Sequence, residues 1–261
     1  MRSLSIGASG MLAQQTNVEV ISNNIANMTT TGYKRQRAEF QDLLYQNQRR
    51  VGSTSSAAGT IVPSGIQLGL GVKTASTYRI TQQGSLQETQ NDFDIAINGT
   101  GYFQIELPSG EVGYTRAGSF QLSPAGEIVT QDGYRVLPGI TVPNDARGVT
   151  INDAGEVLVK LDGQVAEANV GQLQIAAFAN EAGLEAIGGN MFLESPASGA
   201  AIAGVANSVG YGKIMQGFLE ASNVNVVSEI TSLITAQRAY EMNSKVIKTT
   251  DEMMQTTSQV S

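Results

Sequence analysis

Apolar positions along this chain follow two different rhythms. At the C-terminal end Val226, Leu233, Tyr240, Ile247 and Met254 recur at every seventh residue, with Ile230, Ile234, Val246 and Met253 broadening the stripe. No glycine or proline falls between Phe218 and Ser261, although the chain holds 29 and 6 of them, so the backbone freedom that breaks helices is confined to the rest of the molecule. The pattern predicts a helix over 226–260, with Asn225 as its cap and Glu229 near the positive end of its dipole. Such a helix measures about 52 Å, longer than the roughly 45 Å diameter of a compact globule of this size. It is expected to protrude and to need cover. Leu4, Met11, Val18 and Ile25 repeat the seven-residue spacing at the N-terminus, supported by Ala8, Ile21 and Met28, and predict a first helix ending near Asn27.

Between the helices the period shortens. Residues 28–32 read as a turn, and 34–46 as a weaker helical segment with Phe40, Leu43 and Leu44 on one face. Residues 50–71 are rich in Gly, Ser, Ala and Thr and read as an extended arm. From Val72 the alternation is of period two. Turn signals follow at short intervals, at 108–110, 124–126, 132–133, 153–155 and 162–163, the last of them a hairpin between 157–161 and 164–166. The segment 173–178 closes this run of strands, and 183–199 reads as loop. The expected fold class is α+β: paired, coiled-coil-like terminal helices around a central all-β, antiparallel sandwich or barrel-like domain. The expected divisions are 1–30 with 222–261 as a helical domain, 31–91 with 211–221 as a connecting region bearing an arm at 45–70, and 92–210 as the β domain. The two seven-residue columns, Leu4, Met11, Val18 and Ile25 with Val226, Leu233, Tyr240, Ile247 and Met254, are the expected subunit-packing residues.

Composition narrows the chemistry. The net charge of −7 argues against a nucleic-acid partner, and the basic group Lys34, Arg35, Arg37, Arg49 and Arg50, interspersed with Glu39 and Asp42, reads as a solvated face or a protein contact. Cysteine and histidine are both absent, which removes disulfides, thiolate ligands, imidazole ligands and the commonest general base. No apolar run of 18 residues exists, so no bilayer-spanning helix is expected, and Ser5, Gly7, Ser9 and Gly10 interrupt what a cleavable signal would need. Gly99-Thr100-Gly101 opens like a dinucleotide loop, but Gln104 stands where the third glycine belongs, and the reading is a tight turn in a sheet. Asp92 and Asp94 are a carboxylate pair with glycosidase-like spacing if they sit on a strand, and a solvated turn otherwise. The expectation is no enzyme, no cofactor, no metal and no catalytic residue.

Four ordered stretches resemble one family. Ser22-Asn23-Asn24-Ile25-Ala26-Asn27, followed by Thr31-Gly32-Tyr33-Lys34-Arg35, is similar to the N-terminal signature of bacterial flagellar rod and hook proteins. Ser222-Asn223-Val224-Asn225 and then Ala236-Gln237-Arg238-Ala239-Tyr240-Glu241 resemble the C-terminal one. The stretches 96–103 and 114–120 resemble the β-domain pattern, with Tyr102 where phenylalanine is usual. Length and the segment 45–65 most resemble the distal rod subtype. The resemblance makes Asn23, Asn24, Asn27, Gly32, Ala236, Gln237, Arg238, Ala239 and Tyr240 family-motif residues. It implies a homo-oligomeric tube in the basal body that transmits torque across the periplasm, peptidoglycan and outer membrane. It also implies proximal rod proteins, the hook protein and the periplasmic and outer-membrane bushing rings as partners, and type III export without a cleavable signal. Another rod or hook subunit, or a peptidoglycan-acting enzyme, is the alternative.

Overall fold

The computed structural model describes residues 2–49, 64–162 and 166–260, which form two units. The first comprises residues 1–26, 36–78 and 225–261 and is built on two helices, α1 (Arg2–Ala26) and α2 (Val226–Val260). Asn225 caps α2 as its sequence position requires: its Oδ1 accepts the Ser228 N–H at 3.1 Å and its carbonyl accepts the Glu229 N–H at 3.0 Å. The helices run antiparallel. Gly7 faces Ile247, Gly10 faces Asn243, and Asn24 reaches Glu229. In this register Arg2 lies roughly level with Asp251, so α2 continues past the start of α1 by about 13 Å. Two strand pairs complete the unit, Gln36–Asp42 with Val72–Arg79, and Tyr45–Arg49 with Ile66–Gly69.

The strand Gln36–Asp42 corrects the helix expected over 34–46. The spacing of Phe40, Leu43 and Leu44 imitates a helical face, yet Ala38 is buried while Arg37 and Glu39 are exposed, which is a period of two. Non-local pairing decides the outcome: the strand is taken up by Val72–Arg79, and Gln36 is held at both backbone groups by the Asn24 side chain. Of the arm, residues 50–63 lie outside the described residues, as do 163–165, which include most of the hairpin strand expected at 164–166. The strand that pairs antiparallel with Glu156–Leu161 is Ala168–Gln172, beyond the expected one.

The second unit, residues 27–35 and 79–224, is built of β-strands apart from one 3-10 turn, Glu181–Gly183. Its largest sheet has nine strands. The strand Tyr102–Glu106 is central to it, pairing with Val112–Thr115, Arg135–Val136 and Gln174–Ala177. Its Phe103 and Ile105 face is buried, and its other face is buried at Tyr102. Phe103 and Ile105 enter a core with Ile95, Ile97, Phe120, Ile128, Leu173, Ile175 and Ile214, while Tyr102 enters a smaller cluster with Tyr114, Phe178 and Phe192. A three-stranded meander, Ala146–Ile151, Glu156–Leu161 and Ala168–Gln172, contributes Val157 and Val159 to the main core. The main sheet is an ordered path with free ends and not a closed ring. The expected loop at 183–199 instead holds a hairpin, Glu185–Gly188 with Met191–Leu193, turned by Gly188, Gly189 and Asn190 at φ 95°, 59° and 59°. Its strands are too short and too glycine-rich to show alternation. Among the described residues no helix is long and apolar enough to cross a membrane.

Candidate assembly interface and its polar locks

The seven-residue column of α2 is not the line on which the two helices meet. If its members are taken as position a of each repeat, position d holds Glu229, Ala236, Asn243 and Thr250. Of these Glu229, Ala236 and Thr250 are buried. The a residues flank them: Val226, Leu233 and Ile247 are half-buried, and Tyr240 and Met254 are exposed. Small residues set this geometry. A Cβ on Gly10 would sit 2.8 Å from Asn243 Nδ2, and one on Gly7 would sit 3.0 Å from Ile247 Cγ1, so the helices approach where α1 carries no side chain. On α1 the column Leu4, Met11, Val18 and Ile25 is half-buried, beside the buried line through Gly7, Ala13, Ile21 and Asn24. Apolar surface therefore remains along the pair, with Val227, Ile230, Ile234, Met242, Val246 and Met253 all exposed.

Two asparagines act as surrogate backbone. Asn24 Oδ1 accepts the Gln36 N–H at 2.9 Å while its Nδ2 donates to the Gln36 carbonyl at 2.8 Å and to Glu229 Oε2 at 3.1 Å. One side chain thus fixes the end of α1, the first strand and the start of α2. In the β unit Asn223 does the same. Its Oδ1 accepts the Arg35 N–H at 2.7 Å, and its Nδ2 donates to the carbonyls of Ile80 and Gln82 at 2.9 and 2.8 Å. An aliphatic side chain at either position takes these bonds from partly buried backbone groups.

Behind Asn223 lies a buried ion cluster. Lys34 Nζ is 2.6 Å from Glu220 Oε1, and Arg116 Nε is 3.0 Å from Glu220 Oε2, all three side chains being at most 5% exposed. Glu220 Oε1 also accepts the Gly84 N–H, Lys34 donates to the Gln82 carbonyl, and Arg116 Nη1 donates to the carbonyls of Gly99 and Gly101. Burial pushes the Lys34 ammonium below its ordinary 10.5, with Glu220 opposing the shift and Arg116 adding to it. Lys34 therefore departs from the basic group read as a solvated face, because the segment 27–35 is folded against the carboxylate of Glu220. Arg37 and Arg49 are exposed as expected.

The remaining motif residues are dispersed. Asn27 accepts from Thr30 in the turn after α1, at both its carbonyl and its Oδ1. Gly32, at φ 68°, donates to the Glu220 carbonyl, and a Cβ there would lie 2.7 Å from the Ala117 nitrogen. Asn23, Gln237 and Arg238 are exposed, Ala239 is half-buried and Ala236 is buried. Glu220 and Arg116 escaped sequence reasoning as functional groups. The available signals were one carboxylate beside the apolar Phe218-Leu219 and the place of Arg116 in the 114–120 stretch.

Among the described residues the candidate chemistry does not assemble. Asp94 accepts from Asn91 Nδ2 at 3.0 Å in a turn and is not on a strand with Asp92, so the glycosidase-like spacing has no structural basis. Gly99 and Gly101, at φ 115° and 137°, turn the chain between two strands with no helix following. Among the described residues no group of three or more acidic side chains could hold a metal ion.

Three family descriptions match the chain: "Flagella basal body rod protein" over 4–34, "Flagellar hook protein FlgE/F/G D1 domain" over 96–159, and "Flagellar basal body rod FlgEFG protein C-terminal" over 215–260. The flagellar basal-body rod protein FlgG of Caulobacter vibrioides is 61% identical over 260 residues, spanning 100% of this chain and 99% of that one. The rod protein of the same name from Bacillus subtilis is 41% identical over 261 residues, spanning 98% and 97%. The Helicobacter pylori flagellar hook protein FlgE2 aligns in structure over 72% of this chain and 43% of that one, at TM-score 0.26 and 15% identity.

Proposed function

The chain belongs to the flagellar rod and hook protein family, and from that membership we propose that it is the structural subunit of the distal rod. It polymerises into a rigid tube that carries motor torque to the hook. One observation carries the reading: relatives called basal-body rod proteins match this chain from end to end, with neither partner leaving a domain over. The protein is structural and not an enzyme.

A shaft must resist torsion while its subunits hold without covalent bonds. The half-covered columns of α1 and α2 supply the adhesive surface, and each large side chain buried on stacking contributes about 1.5–3 kcal/mol. The Asn24 lock keeps that surface in shape inside the helical unit, and the Glu220 cluster does so inside the β unit. In the tube, 1–30 with 222–261 forms the inner wall and 92–210 the outer surface. The connecting region 31–91 with 211–221 presents the arm 45–70 to neighbouring copies and stiffens the wall. The described part of that arm leaves Tyr45, Ile66, Leu68 and Leu70 exposed, which supports this role. Proximal rod proteins below, the hook protein above and the bushing rings around the shaft are the further partners. The subunit reaches them across the inner membrane by type III export and assembles in the periplasm, peptidoglycan layer and outer membrane.

Deleting the coding sequence tests the assignment. Basal bodies purified from such cells are expected to end at the proximal rod, without hooks, in non-motile cells. Full-length rods bearing hooks would reject it.

A further inference from the structure

The exposed apolar residues of α2 are not scattered. With the seven-residue column at position a, Val227, Ile230 and Ile234 occupy positions b and e, while Met242, Val246 and Met253 occupy c and g. Positions b and e lie on one flank of the α1-facing line, and c and g on the other. All six are at least 45% exposed. Each flank also changes character along the helix, in opposite senses. The b/e flank turns polar after Ile234, through Gln237, Glu241, Ser244, Lys248, Asp251 and Gln255. The c/g flank begins with small and hydroxyl side chains, Ser228, Ser232, Thr235 and Ala239, and turns apolar only at Met242.

We infer that the Val227–Ile230–Ile234 strip of one copy docks on the Met242–Val246 strip of an adjacent, parallel copy, displaced along the helix axis by about 14 residues, or ~21 Å. The inference rests on the rod reading and gives its lateral contact. Two unlike apolar strips on opposite flanks suit head-to-tail association, in which every copy uses one strip on each side and the contact repeats without closing into a dimer. A two-fold dimer would need a single strip that matches itself. The displacement follows from the pattern: at zero displacement each apolar strip would meet the polar half of its neighbour's flank. The unbranched, adaptable Met242 facing rigid β-branched side chains also fits a contact whose angle must adjust around a tube.

The chain contains no cysteine, so introduced thiols report without background. In basal bodies from motile cells, a chain carrying both Ile234→Cys and Val246→Cys is expected to yield a ladder of cross-linked oligomers with a short bis-maleimide. The two positions lie about 18 Å apart along one helix and on opposite flanks, so they cannot bridge within a copy. Each single variant alone is expected to stay monomeric, and the two singles expressed together to give dimers. Assembled, swimming rods without a ladder, or dimers from Ile234→Cys alone, would overturn the docking and leave the rod reading intact. A ladder recovered only from structures other than basal bodies would keep the docking and remove the rod.

Discussion

Replacing Glu220 by glutamine tests whether the buried ion cluster holds the β unit together. The substitution keeps the side chain's size and removes one negative charge from between two buried cations. Breaking a buried ion pair by deleting one partner costs about 3–5 kcal/mol, because the remaining charge stays desolvated. Here two cations lose the same carboxylate, but Arg116 keeps the carbonyls of Gly99 and Gly101, and Lys34 keeps that of Gln82. Those acceptors bring the expectation to the lower end, about 3 kcal/mol, which multiplies global opening by roughly a hundredfold. Hydrogen exchange by mass spectrometry reads this directly. Amides of the core strands Tyr102–Glu106 and Gln174–Ala177 exchange through opening of the whole unit and should accelerate about a hundredfold. Arg135→Gln is the control: its pairs with Glu106 and Glu127 are solvent-accessible, and its effect should stay below about 0.5 kcal/mol. If Glu220→Gln falls within that same margin, the reasoning about the cluster is wrong.

Three further predictions follow from individual contacts. Asn24→Ala strips both backbone groups of Gln36 and one donor to Glu229, and should cost about 2–3 kcal/mol, read as earlier thermal loss of helical circular dichroism. Gly118→Ala should prevent the β unit from folding, because its Cβ would collide with the Ile95 carbonyl, whereas Gly148→Ala, with open space around it, should be tolerated; near-ultraviolet circular dichroism distinguishes them. Burial, reinforced by Glu181, raises the Tyr102 hydroxyl above its ordinary 10.0, so the native state keeps a proton that the unfolded chain releases. That contribution is complete below pH 10 and is lost as pH rises above it. Urea titrations should show stability falling less steeply above pH 10 in Tyr102→Phe than in the parent, at a cost of about 1 kcal/mol near neutrality for the hydroxyl's bond to Glu181.

Local signals made the helices and most turns legible in the sequence. The glycine-free and proline-free end, the Asn225 cap and the Asp132-Gly133 turn each act within a few residues, and the structure places them where local rules do. The strand Gln36–Asp42 was hidden because its partner begins at Val72, far outside any local window, and because Phe40, Leu43 and Leu44 imitate a helical face. Lys34 was misread for the same reason on a larger scale, since its carboxylate is 186 positions away. The seven-residue columns follow the large apolar residues, but the line on which the two helices meet runs through Glu229, Ala236, Asn243 and Thr250. Sequence periodicity finds large apolar residues, whereas the closest approach of two helices selects the small ones. In the proposed tube the large residues are covered by another copy, which is why the column could be read and its partner could not.

Electron cryo-microscopy of basal bodies from cells carrying an internally tagged copy of this chain tests the central claim most directly. The account predicts tag density repeating along the distal rod between the proximal rod and the hook, with α2 of each copy packed against α2 of its neighbours. Tag density confined to another part of the basal body, or a rod wall in which α1 and α2 touch no other copy, would contradict it.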